Sequence, residues 1–204
     1  MSAVDITASP SVPLRVARVV TEVLSPAVVV PLLSFAVAWF GTGHDVLATV
    51  LWGLLVTVFY CAIPMAIVVR GARGGQWEGH WVRERERRLV PFLQILVSTL
   101  AGLAIMLVWS APRDVLALAW SMVATLLACL VITRWWKVSV HATVAGGALA
   151  TIVLLYGPWY LLLVLALALV CWSRVVVEDH TAAQVLVGAV LGPVVGGVVF
   201  LALR

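Results

Sequence analysis

Seven runs of the chain carry no Asp, Glu, Lys or Arg: Val23–Phe40, Val46–Val69, Pro91–Ser110, Val115–Thr133, Val138–Tyr156, Trp159–Trp172 and Thr181–Leu203. Crossing about 30 Å of hydrocarbon takes about 20 apolar residues in a helix. A backbone in lipid has to satisfy its own N–H and C=O groups, so such runs are helical. The pattern predicts an all-α, polytopic membrane helix bundle with six or seven transmembrane helices. Six is the count if the first run, which contains Pro26 and Pro31, lies on the surface or re-enters. The fifth and sixth runs meet at Gly157-Pro158 and are near the minimum spanning length. They either extend into their flanks or form a tilted hairpin.

The polar breaks divide the chain into an N-terminal cytoplasmic segment, 1–22, and one membrane-embedded domain, 23–204. Asp5 comes early and Arg15 and Arg18 come late, so a cleaved signal peptide is not expected. Between the second and third spans, Gln76–Arg88 is dense in charge and carries Trp77 and Trp81 one helical turn apart. That spacing predicts an interfacial helix.

Composition agrees with the membrane reading. The 204 residues are 64% hydrophobic and 11% charged, against about half apolar and about a quarter charged in soluble domains. Net charge is +4. In this setting a basic balance points to membrane topology and an anionic substrate rather than to nucleic acid. Cys61, Cys129 and Cys171 all fall inside apolar runs without metal-ligand spacing.

With seven spans, three polar breaks share a face with the N-terminus: Arg70–Arg88, Arg134–Lys137 and Ser173–His180. Of the 13 Lys and Arg residues, all but Arg113 and Arg204 belong to that face. The asymmetry predicts that it is cytoplasmic.

These breaks hold the candidate chemistry. Arg85 and Arg88 are three apart, so two guanidiniums can converge on one anion; the plainer reading is a positive-inside anchor. Ser139 and His141 stand beside Lys137 at the mouth of a span, where an ionisable group is a functional candidate or a histidine bonded to a neighbouring helix. Ser173 and Arg174 offer a hydroxyl and a guanidinium. Gln184 follows His180 by one helical turn and can reach its imidazole. Read as structure alone, this last stretch is a surface loop with Asp179 capping the final helix. Neither a nucleotide-binding glycine loop nor a metal-ligand set is present in the sequence, so phosphoryl transfer through histidine fits the inventory.

The order of these clusters resembles the type 2 phosphatidic acid phosphatase (PAP2) superfamily of membrane lipid phosphatases, in a small prokaryotic branch. Ser173-Arg174, five residues, His180, three residues and position 184 resemble its third motif. Ser139-Val140-His141 resembles part of its second, and Arg85-x-x-Arg88-x-x-Pro91 a variant of its first. The likeness covers about Arg85 to Gly192, roughly half the chain. It implies a PAP2-like core and a phosphatase acting on a lipid phosphate or prenyl (di)phosphate in a prokaryotic cell membrane. His180 would form a phosphohistidine. His141 would protonate the leaving alkoxide and later activate water. Arg85, Arg88, Lys137, Ser139, Ser173 and Arg174 would hold phosphate, with no metal and no cofactor. The family's Asp, which supports the nucleophilic histidine, is Gln184 here. Its amide can fix the imidazole tautomer but cannot balance a positive charge, unless Glu178 or Asp179 takes that role. The alternatives are a catalytically weak or inactive lipid-phosphate-binding protein on the same scaffold, and a small transporter.

Overall fold

The computed structural model describes residues 11–74 and 89–204, and all regular structure among them is helical. Arg85, Arg88, Trp77, Trp81 and the interfacial helix expected over 76–88 lie outside the described residues. Six helical stretches are long and apolar enough to cross a membrane: Val12–Gly41, Val46–Arg73, Val90–Val108, Arg113–Thr133, Pro158–Val176 and Ala182–Leu203. A shorter apolar helix, Val140–Tyr156, makes a seventh. The chain is an integral, polytopic membrane protein.

The first stretch is two helices. Helix α1 (Val12–Val23) ends at Leu24, and α2 (Pro26–Gly41) starts afresh with Pro26 in its first turn. Proline lacks the N–H that a helix start leaves unpaired. Pro31 stays inside α2. Thus the N-terminal segment contains an ordered helix that the apolar pattern did not reveal. One side of α1 exposes Val12, Val16, Val19 and Val23, while Ala17 and Thr21 are buried. It packs on the helix that carries Ser173 and Arg174.

Helix α3 (Val46–Arg73) begins at Asp45, whose Oδ1 accepts the Ala48 N–H at 2.6 Å. It contains one π-turn, Val58–Ala62. Helices α4 (Leu89–Val108) and α5 (Arg113–Thr133) are joined through Ser110, which has positive φ, and Pro112. Helix α6 (Val140–Tyr156) ends at Gly157, whose φ of 102° suits a residue without a Cβ. A 3₁₀ turn, Pro158–Leu163, leads into α7 (Val164–Val176). Ser173 and Arg174 therefore sit in the last helical turn of the sixth span rather than in a loop. Helix α8 (Ala182–Leu203) is capped by Thr181 rather than by Asp179, because Thr181 and Gln184 form a reciprocal capping box. Trp109, Trp135, Trp136 and Trp159 are exposed near helix ends, where tryptophan favours the headgroup region.

Helix α6 is the hub and touches α2, α5, α7 and α8. At 17 residues it is about 25 Å long, shorter than the hydrocarbon layer of about 30 Å. Its contact with α8 is nearly backbone on backbone. A Cβ on Gly192 would meet the Thr143 carbonyl oxygen at 2.1 Å, one on Gly188 the Ser139 carbonyl oxygen at 2.6 Å, and one on Gly146 the Ala189 carbonyl oxygen at 2.6 Å. Small residues at such a crossing let two membrane helices approach closely.

The far end of the bundle is tied by the two arginines that break the sidedness pattern. Arg113 Nε donates to the Leu203 carbonyl at 2.9 Å, and Arg204 Nε pairs with Asp114 Oδ1 at 3.5 Å. The Arg204 guanidinium also lies over the Phe40 and Phe200 rings, and Tyr156 Oη donates to the Ala36 carbonyl at 2.7 Å.

The glycine contact makes a graded prediction. Gly192→Ala forces α6 and α8 apart and lowers the unfolding temperature in detergent, at a cost of about 1–3 kcal/mol. Gly147→Ala, whose added Cβ meets its nearest neighbour at 3.6 Å, leaves that temperature within experimental error. Thermal unfolding of the two variants side by side checks the ranking.

Candidate active site

Three polar segments meet where α6, α7 and α8 end on one face. Ser139 N-caps α6: its Oγ accepts the Ala142 N–H at 3.5 Å, which uses a lone pair and not the hydroxyl hydrogen. Ser139 N–H donates to the Gln184 carbonyl at 3.3 Å, so the start of α6 is joined directly to the first turn of α8. His141, 4% exposed, follows in the first turn of α6.

Between α7 and α8 the chain makes a tight connection. Val177 N–H donates to the Ser173 carbonyl and His180 N–H to the Arg174 carbonyl at 3.3 Å. Glu178 takes φ of 59°, the left-handed conformation common just past a helix end. This folds Asp179 back over α7, where its Oδ2 accepts from Arg174 Nη2 at 2.6 Å. Both residues are buried. Lys137 Nζ donates to the Asp179 carbonyl. Asp179 thus joins the cation of α7 to the cation that precedes α6.

His180 Nδ1 lies 3.2 Å from Gln184 Oε1. The same Oε1 accepts the Thr181 N–H at 3.3 Å. An oxygen that caps a backbone N–H can only accept, so the hydrogen between His180 and Gln184 belongs to Nδ1. In the neutral ring, the lone pair is then on Nε2. The helix cap consequently sets the histidine's tautomer, with no carboxylate needed for orientation. The Asp179 carboxylate, one residue before His180, pairs through Oδ2 with Arg174.

Ser173 takes a different place from the one its spacing suggests. It is fully buried, donates to the Val170 carbonyl at 2.9 Å and accepts from Thr21 Oγ1 at 3.1 Å. Its hydroxyl hydrogen is committed within α7 and its oxygen faces α1, so it serves helix packing beside Arg174. Thr21 was not singled out in the sequence, since a lone threonine ahead of the first apolar run carries no pattern.

His180 stands at a boundary between two spaces. Outward is a surface pocket lined by Lys137, Glu178, Asp179, Thr181 and Gln184 as well as His180. Inward, His141, Arg174 and His180 line one part of a cavity of about 260 Å³ that is walled mainly by α2, α3, α4, α5 and α6 and also carries hydroxyl side chains such as Ser121, Thr125 and Thr151. Val30, Leu33, Met65, Phe92, Ile95 and Leu126 are among its apolar walls. The volume approaches that of ordinary small-molecule sites, about 300–1,000 Å³. Among the described residues, no group of three or more His, Cys, Asp or Glu side chains is placed to hold a metal ion.

Of the expected site residues, the structure brings together Lys137, Ser139, His141, Arg174, His180 and Gln184. Arg85 and Arg88 lie outside the described residues. Comparison of the chain with protein-family models, with curated proteins and with solved structures finds no match.

The buried Arg174–Asp179 pair generates a stability prediction. Asp179→Ala removes the carboxylate from a buried guanidinium and costs about 3–5 kcal/mol, whereas replacing both partners with apolar residues of similar volume, Arg174→Met with Asp179→Leu, recovers most of it. Denaturant or thermal unfolding in detergent of the single and double variants measures the difference.

Proposed function

We propose that this chain is a membrane phosphatase of the type 2 phosphatidic acid phosphatase kind, acting on a lipid phosphate or prenyl (di)phosphate. The observation that carries the reading is the position of His180, which lines both a surface pocket with charged side chains and a largely apolar cavity inside the bundle. A substrate with an anionic head and an apolar tail matches that pairing. The motif spacings noted in the sequence support the same family reading.

In the proposed reaction, His180 Nε2 attacks phosphorus while Gln184 holds Nδ1–H. The P–O bond to the lipid breaks, its electron pair stays on the leaving oxygen, and His141 supplies the proton. A phosphohistidine remains. His141 then takes a proton from water, the water oxygen attacks phosphorus, and the P–N bond breaks to release phosphate and restore His180. Arg174 and Lys137, with Arg85 and Arg88 as further candidates, stabilise charge on the phosphoryl oxygens. Ser139 is fully buried as the cap of α6 and lines neither space, so its expected contact with phosphate would need a change of position.

The Lys and Arg distribution supports a cytoplasmic position for this site in a prokaryotic membrane. That sidedness favours a lipid intermediate made on the inner leaflet, such as a prenyl-linked sugar phosphate, a prenyl diphosphate or phosphatidylglycerophosphate.

Gln184 favours keeping a second reading, a protein that binds lipid phosphates with little turnover. A neutral amide orients the imidazole but cannot offset the charge that develops on it, and replacing the orienting Asp of a serine protease by an amide costs about 10⁴ in rate.

Purified protein is expected to release phosphate from at least one lipid of a prenyl-phosphate, prenyl-diphosphate and phosphatidate panel in the presence of EDTA. His180→Ala abolishes release, and His141→Ala lowers it by at least about 10²-fold, the scale of general acid–base catalysis. Unchanged activity in His180→Ala would sink the mechanism. Lipid-phosphate binding with no release from any substrate would support the second reading.

Restoring the carboxylate separates the two readings further. Gln184→Asp adds a negative charge beside the imidazole and favours its protonated form. The expected result is a higher kcat together with an acid limb of the pH–rate profile moved toward higher pH, measured by phosphate release across the pH range.

A further inference from the structure

The inner cavity has a polar end and an apolar floor. His141, Arg174 and His180 stand at the polar end. From there its walls run along several helices. The wall residue farthest from the histidines is Leu33 on α2, Tyr60 on α3, Thr99 on α4, Leu118 on α5, Thr151 on α6 and Gly196 on α8.

One helical turn farther along each of these helices lies a buried apolar side chain: Val37, Val56, Leu103, Val115, Leu155 and Phe200 respectively. None of these lines the cavity, and all belong to one contiguous packed cluster. Every helix that reaches the far end therefore contributes one side chain to closing it. Native cores are packed too densely to admit a further chain without rearrangement.

The wall between the two ends presents little polarity. The hydroxyls of Thr99, Ser121, Thr125 and Thr143 donate to carbonyls of their own helices, and the Tyr60 oxygen is sealed off from the space. Thr151 carries the remaining wall hydroxyl, at the floor. A helical threonine can turn to the carbonyl four residues before it, so an apolar chain end is tolerated there.

Helix rise sets the length of the space. The wall of α6 extends from His141 to Thr151, about 15 Å at about 1.5 Å per residue. An extended carbon chain advances about 1.2 Å per bond, a third of the span of an extended residue, so about twelve carbons cover that distance.

We infer that the cavity measures the tail of the lipid it accepts, and that the floor beneath Leu118 and Thr151 sets the limit at about twelve in-line carbons. The substrate class is an alkyl or prenyl phosphate of medium chain length, rather than one with a long polyprenyl chain. This deepens the phosphatase reading and rests on it only in placing the phosphate beside His180 and Arg174.

The test uses alkylphosphonates from hexyl to hexadecyl, which bind without turnover. They are titrated into the full-length protein in detergent and into two variants. Each affinity is taken as a ratio between variant and unaltered protein, so that partition of the chain into detergent cancels. Ala148 lines the cavity between His141 and Thr151, and Ala148→Leu fills the space there. It is expected to leave hexylphosphonate within about twofold and to weaken dodecylphosphonate about tenfold or more, because each methylene kept out of an apolar site costs about three- to fourfold in affinity. Leu118→Ala lowers the floor. It is expected to leave octylphosphonate within about twofold and to strengthen hexadecylphosphonate about three- to tenfold.

Thermal unfolding in detergent shows that each variant is folded. Ala148→Leu fills space rather than emptying it, so its series decides the matter even where Leu118→Ala does not fold. A ratio that stays the same at every chain length would overturn the inference, and so would no binding of any phosphonate. Phosphate release from lipid substrates, measured in parallel, keeps the two questions apart. Release with length-independent ratios overturns this inference and leaves the phosphatase reading standing. Length-dependent ratios without release support the inference and count against the phosphatase reading.

Discussion

The joining of Ser139 and His141 to the first turn of α8 depends on how closely α6 approaches that helix. Gly146, Gly188 and Gly192 bring the two backbones together until no Cβ fits between them. That approach lets Ser139 N–H reach the Gln184 carbonyl, which fixes the start of α6 against the first turn of α8. His141 rides on the first element and His180 immediately precedes the second. In a bilayer, the hydrophobic effect does not press one apolar helix against another. Close packing therefore has to supply the attraction, and glycine is the residue that permits it.

A second constraint comes from charge. A guanidinium buried at a membrane boundary is costly unless paired. Asp179 meets that need for Arg174, and the left-handed conformation of Glu178 turns Asp179 back to do so. The arrangement divides labour between neutral and charged groups. A capping amide, Gln184, orients the histidine, and a carboxylate, Asp179, balances the arginine. The lysine before α6 binds the backbone of the same connection, so three basic or aromatic-nitrogen groups share one short loop as their scaffold.

The site also joins two environments. The outward pocket is lined by Lys137, Glu178, Asp179, Thr181 and Gln184 together with Val175, while the inward cavity is walled mainly by apolar side chains of α2 to α6. His180 belongs to both. The substrate proposed above, with an anionic head and an apolar tail, would have its head near the interface, where charged groups are tolerated, and its tail at depth, where they are not.

Much of the architecture was legible in the sequence because lipid imposes a simple rule: long uncharged runs become helices, and breaks go to the surfaces. That rule accounts for the spans, the turn at Gly157-Pro158 and the common face of Lys137, Ser139, His141, Arg174 and His180. The one-turn spacing of His180 and Gln184 was equally readable, since a helix brings such positions together. Other features needed the tertiary structure. Helix α1 is short and carries Arg15, Arg18 and Glu22, so no apolar run marks it; its order comes from Thr21 and Ala17 packing on α7. Ser173 looked like a phosphate ligand until its helix placed it against Thr21. Sequence neighbours do not specify a direction for Asp179, and the turn at Glu178 is what brings its carboxylate to Arg174 while Thr181 takes the helix cap.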